Sequence, residues 1–145
     1  MLALIQRVKE ARVEIAGEIV GAIDQGLLVF LGIEREDTES DAHRLLKKIL
    51  AYRVFADADD KMNLSVQSVD GGLLVVSQFT LAATTDKGLR PGFSSAKAPD
   101  EAKVLYQYFL DSARKNYHKV AAGEFGADMQ VGLINDGPVT FLLRS

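Results

Sequence analysis

Cysteine and tryptophan are absent from the 145 residues, and the chain holds only two histidines and three prolines. Without thiols there is no cysteine nucleophile, no zinc ribbon and no disulfide framework, which fits a reducing compartment. With so little histidine, a Ser-His-Asp site would have to use His43 or His118. Neither is accompanied by a G-x-S-x-G turn, and the plainer reading of each is structural. Long apolar runs are missing too: nothing approaches the roughly 20 residues of a membrane span, and the charges in MLALIQRVKEARVEIAG are unlike a signal peptide. A cytoplasmic, soluble protein is expected. Positive charge is not in excess either, since 17 Lys and Arg against 20 Asp and Glu leave a formal net charge of −3. A protein that wraps a duplex needs many cations to neutralise phosphates. One that grips only the single-stranded end of an RNA needs few.

What is present is an ordinary globular balance, 48% hydrophobic and 26% charged residues, which predicts one domain over residues 1–145. Residues 2–10, 11–16 and 18–23 alternate apolar with polar and read as three short antiparallel strands, with a turn at Gly17. The continuous apolar run 27–33 (LLVFLGI) reads as a central strand buried on both faces. Thr38 offers an N-cap, and Leu45, Leu46, Ile49 and Leu50 at helical spacing predict a helix over 39–52. Residues 65–69 and 73–79 read as strands around Asp70-Gly71-Gly72. Residues 82–98 are rich in Gly, Ser, Thr and Lys and too long for a plain connector, so a working loop is expected. Pro99 opens a second helix to about Asn116, with Val104, Leu105, Tyr108 and Phe109 as its apolar stripe. Strands over 118–121, 127–135 and 139–143 complete an α+β chain: a curved, largely antiparallel, barrel-like sheet with two main helices.

Two segments stand out chemically. Ser77-Gln78-Phe79-Thr80-Leu81 ends a strand and feeds the long loop, where small hydroxyls and backbone N–H groups can face a ligand; the alternative is a buried strand with satisfied hydroxyls. Asn135-Asp136-Gly137-Pro138-Val139-Thr140 is either a simple turn or a sharp tip, because a Gly-Pro bond makes the cis form accessible. Asp57, Asp59 and Asp60 lack the Gly and distal Glu of a calcium loop and read as a solvated turn.

SQFTL at 77–81 and NDGPVT at 135–140 resemble the two signature motifs of the D-aminoacyl-tRNA deacylase family. IQRV at 5–8, KMNLSV at 61–66, KGLRPGF at 87–93 and FGADMQV at 125–131 are similar to further blocks of that family in the same order. The resemblance implies the family's fold and a homodimeric enzyme that hydrolyses the ester at the 3′ end of D-aminoacyl-tRNA, without cofactor, obligatory metal or membrane. It implies that Gly137-Pro138, with a cis bond, reaches into the partner's pocket beside Ser77, Gln78 and Thr80. There the tip's carbonyl groups would exclude an L side chain and admit D residues and glycine. Arg7 would hold the tip, Phe125 and Met129 would line the adenine pocket, and Ala102 would keep the approach narrow. Catalysis would be assisted by the ribose 2′-hydroxyl, with Gln78 positioning the ester and N–H groups around Phe79 and Thr80 holding the oxyanion; a nucleophilic Thr80 is the alternative. Leu89 and Gly92 depart from the family's pattern, leaving Lys87, Arg90 and Lys97 as candidate phosphate ligands. The rival from another class is a non-catalytic nucleic-acid-binding module on the same fold.

Overall fold

Apolar and polar residues alternate far enough to carry one unbroken strand, β1 (Leu2–Ile15), through fourteen residues. The computed structural model describes residues 1–145. The expected break near residue 10 is absent, because β1 changes partners without changing direction. Its first half pairs antiparallel with β3 (Gly26–Gly32) and its second half with β2 (Glu18–Ile23), joined through a turn in which Ala16 and Gly17 both have positive φ. The last strand, β8 (Gln130–Arg144), runs antiparallel along nearly all of it.

Helix α1 (Glu39–Ala51) begins where Asp41 accepts hydrogen bonds from the Thr38 N–H (2.9 Å) and hydroxyl (2.6 Å), tying the first turn to its cap. It is followed by a two-stranded ribbon, β4 (Phe55–Ala56) and β5 (Met62–Leu64), then by β6 (Gly72–Ser77). Helix α2 (Pro99–Asn116) lies between β6 and β7 (Val120–Ala122). Each helix therefore sits in a crossover, and β3, β6 and β7 are parallel to one another. A parallel pair needs such a crossover, so the sheet is more mixed than strand counting predicts. Its order is β2-β1-β3-β6-β7. The two ends of that path nearly meet: a Cβ on Gly21 in β2 would lie 2.7 Å from the Ala122 carbonyl oxygen in β7. The sheet is thus almost closed into a barrel.

Alternate residues of β3 enter opposite cores, as its continuous apolar run requires. Leu27, Val29 and Leu31 pack with Leu45, Ile49, Leu105 and Phe109 beneath the helices; Leu28 joins Val8, Val13, Leu74 and Val76 inside the curl. Three expectations are corrected. Residues 65–69 form a turn, in which the Ser65 and Ser68 hydroxyls bond each other at 3.0 Å. On α2 the buried side chains are Ala102, Leu105, Tyr106, Phe109, Leu110 and Ala113, whereas Val104 is 71% exposed. Finally, 127–135 and 139–143 are not separate strands but belong to the region of β8, whose interruption is described below. No helix is long and apolar enough to cross a membrane.

Candidate active site

Strand β6 delivers Ser77 to the rim of the sheet, where Gln78 N–H still donates to the Leu31 carbonyl (2.8 Å). Beyond Gln78 the strand cannot continue, and Phe79–Ala82 tightens into one 3₁₀ turn. The turn exposes Phe79 and Thr80 and lets Gln78 Nε2 donate to Thr80 Oγ1 at 2.5 Å. Next to it opens a cavity of about 450 Å3, lined by Ser77, Gln78, Phe79, Ala96, Lys97, Pro99, Ala102, Phe125, Ala127, Met129 and Val131, among others. That volume suits a ligand of nucleoside size, and the mainly apolar lining with a few polar groups at one end is the usual build of such a site. Of the candidate residues, Ser77, Gln78, Phe79, Ala102, Phe125, Met129 and Lys97 line it, and Thr80 adjoins it through Gln78.

The walls are fixed from behind. Tyr106, buried in α2, brings its hydroxyl 3.1 Å from each of the Val75 and Gly123 carbonyl oxygens and its ring 5.7 Å from that of Phe125. Burial pushes the Tyr106 phenol up to about 12, so it remains a neutral donor. Gly123 leaves room for Met129, whose sulfur would sit 2.6 Å from a Cβ there. Neither Tyr106 nor Gly123 was singled out by sequence reasoning; a lone tyrosine on the buried stripe of α2 was the available signal.

Arg7, Gly137 and Pro138 lie apart from this cavity. Between Gln6↔Thr140 and Val8↔Asn135 the β1–β8 register places Asp136, Gly137, Pro138 and Val139 opposite Arg7 alone. The surplus residues bulge outward, with a cis Gly137-Pro138 bond and Gly137 at φ +125°. Arg7 braces the bulge: its Nε donates to the Asp136 carbonyl (3.2 Å) and lies 3.3 Å from the Asp136 carboxylate, while Nη1 donates to the Val54 carbonyl (2.7 Å). Asn135 closes the base: with its amide turned so that both ends are satisfied, Nδ2 donates to the Arg7 (3.0 Å) and Val139 (3.3 Å) carbonyls and Oδ1 accepts from Thr140 and Gln6. Gly137 and Pro138 stand exposed at the tip.

The remaining candidates separate cleanly. His43 is exposed on α1, and His118 pairs with Asp70 (Nε2 to Oδ1, 2.9 Å), away from the cavity. Asp57 accepts from the N–H groups of Asp59 and Lys61 and from Asn63, which holds its carboxyl below the usual range and makes the cluster a solvated turn. No three His, Cys, Asp or Glu side chains gather as metal ligands. Of the loop cations, Lys87 and Arg90 are exposed, but Lys97 donates to the Arg35 carbonyl at 2.6 Å and lies 3.7 Å from Glu101, so it is already engaged within the chain.

A family model described as D-Tyr-tRNA(Tyr) deacylase matches residues 4–144. The chain belongs to that family. The D-aminoacyl-tRNA deacylase of Stutzerimonas stutzeri (strain A1501) is 63% identical over 145 residues, covering all of both chains. That of Cellvibrio japonicus (strain Ueda107) is 62% identical over 144 residues, 99% of each. Among solved structures, the c-Myc DNA Unwinding Element Binding Protein superposes with a TM-score of 0.96 at 42% identity, over 100% of this chain and 99% of that one. A probable eukaryotic D-amino acid tRNA deacylase shares the fold at a TM-score of 0.84 and 16% identity, over 98% and 97% of the two chains. The D-Tyr-tRNA(Tyr) deacylase family is thus matched on sequence and on fold over essentially the whole chain.

Proposed function

We propose that this single-domain protein hydrolyses the ester of D-aminoacyl-tRNA, releasing the D-amino acid and tRNA, and that it acts as a cytoplasmic homodimer whose two subunits share each site. The observation that carries the proposal is the separation just described: one chain has a nucleoside-sized cavity at Ser77-Gln78-Phe79 and, elsewhere, an exposed backbone tip at Gly137-Pro138 braced by Arg7. A second subunit brings the tip of one to the cavity of the other.

In such a site Phe125 and Met129 hold the terminal adenine, Ala102 keeps the approach narrow, and Gln78 and Ser77 set the ester beside the 3₁₀ turn. The first N–H groups of a helical turn have no acceptor within it, which suits those near Phe79 and Thr80 to the developing oxyanion. The ribose 2′-hydroxyl helps activate water. Chirality is read by exclusion: the carbonyl groups of the braced tip stand where an L side chain would project, while a D side chain points away and glycine has none. Pockets that rely on fit to one methylene discriminate by only about 1–3 kcal/mol. Collision with rigid backbone discriminates without regard to side-chain identity, so many D residues are admitted.

The test is hydrolysis of D-tyrosyl-, L-tyrosyl- and glycyl-tRNA by the purified protein, a Pro138→Ala variant and a chelator-treated sample. Loss of the D and glycyl esters with the L ester spared, and indifference to chelator, are expected. The name of the 42%-identical structure favours a second reading, a DNA-binding module on the same fold. A folded dimer that cleaves none of the three esters and retains a DNA probe would replace the deacylase with that reading.

A further inference from the structure

Phe125 lines two concavities. The first is the cavity above; the second, of about 500 Å3, lies between α2 and the β2–β7 edge of the sheet, lined by Val20, Tyr106 and Leu110 together with Lys103, Gln107 and Arg114. On α2 the boundary between them falls between adjacent residues, Ala102 facing the first and Lys103 the second. Lys103 and Arg114 are eleven residues apart, which returns a helix to nearly the same face about 16 Å further along. In a chain of net charge −3, this groove holds two cations against one carboxylate, Glu124. Both cations are available: Lys103 has no ion pair, and Arg114 has only a 4.0 Å contact with Asp111. Val20 and Val104 add apolar surface that is 47% and 71% exposed.

We infer that this groove carries the unpaired 3′ strand of the substrate tRNA. The inference rests on the deacylase reading above. The terminal adenosine occupies the first cavity, and the preceding nucleotides turn over the Phe125 edge and follow α2, phosphates toward Lys103 and Arg114 and bases over the apolar floor. Single-stranded RNA is held in this manner elsewhere, by cations that track the backbone and apolar or aromatic faces that accept bases. The roughly 16 Å between the cations is within reach of the three unpaired nucleotides that precede the terminal adenosine when they run unstacked, their phosphates wider apart than the ~3.4 Å per nucleotide of a stacked strand. Two phosphate contacts also agree with the acidic composition, which excludes an extensive footprint.

The experiment compares D-tyrosyl-tRNA with the 3′(2′)-D-tyrosyl ester of adenosine, which ends before the groove begins. For the Lys103→Ala/Arg114→Ala double variant, the ratio of kcat/KM on tRNA to kcat/KM on the adenosine ester should fall by on the order of tenfold. The slope of log kcat/KM against log salt, read on tRNA alone, should become shallower by about 1.4, as two lost contacts on a single strand require. An unchanged ratio and slope would overturn the path, and so would the same losses appearing only in Lys87→Ala/Arg90→Ala, which would send the strand across the loop. If the unmodified protein cleaves neither ester, the deacylase reading fails and takes this one with it. If it cleaves D-tyrosyl-tRNA and the double variant behaves identically, only the path fails.

Discussion

Thr80 has the position of a nucleophile and the surroundings of a positioning group. Its hydroxyl accepts from Gln78, and the two imidazoles lie elsewhere, one exposed on α1 and one paired with Asp70. An unactivated hydroxyl is a poor nucleophile. Thr80→Ala is therefore expected to keep activity on D-tyrosyl-tRNA within about tenfold of the unmodified protein. A fall of several orders of magnitude in single-turnover rate, with substrate affinity intact, would make Thr80 the nucleophile. At this scale much was legible: Ser77, Gln78, Phe79, Ala102, Phe125 and Met129 line one cavity, and Arg7 donates to the Asp136 carbonyl at the base of the Gly137-Pro138 tip. Tyr106 and Gly123 escaped because their work is done through a backbone carbonyl and a missing Cβ. Neither leaves a mark in a motif. Lys97 differs from Lys87 and Arg90 in a way the sequence does not mark, since it donates to a carbonyl more than sixty residues away.

Among the elements, α2 is tied to the sheet by one hydroxyl, and that tie has a pH dependence. The folded protein holds the Tyr106 proton more tightly than the unfolded chain does, with a value near 12 against an ordinary 10. The contribution to stability is whole below pH 10 and is lost as pH rises toward about 12. Tyr106→Phe should lower stability near neutrality by about 1 kcal/mol, the worth of a buried hydrogen bond, and should flatten the decline above pH 10. Urea midpoints measured on both sides of that pH check it; an equally steep alkaline decline in the variant would assign the decline to other groups. Helix boundaries could be read because caps and Pro99 are local signals, and α2 ends where the sequence predicts. Strand continuity could not. β1 keeps its alternation while exchanging one partner for another, and β8 carries three surplus residues in a segment that looks in sequence like an ordinary turn. Residues 65–69 have strand-like composition, but their serines bond each other locally and turn the chain.

The whole molecule, as proposed, has sites that no single chain completes. Mixed and refolded in equal amounts, a chain impaired at the cavity by Phe125→Asp and one impaired at the tip by Pro138→Ala should regain activity that neither has alone. Random pairing leaves about a quarter of the sites with both parts intact. No recovery, with hybrid dimers demonstrated by mass, would place the whole site within one chain. The barrel-like closure was legible as a class from runs of strands with few helices, whereas its parallel strands followed from where the helices fall in the order. The pairing of Phe79 with Phe93, ring centroids 5.1 Å apart beside the cavity, has a practical use. Because the chain contains no tryptophan, a single indole installed by Phe93→Trp would be the sole red-shifted emitter in the molecule. Its light would report arrivals and departures at the mouth of the site in real time, against a background to which the rest of the fold contributes only tyrosine.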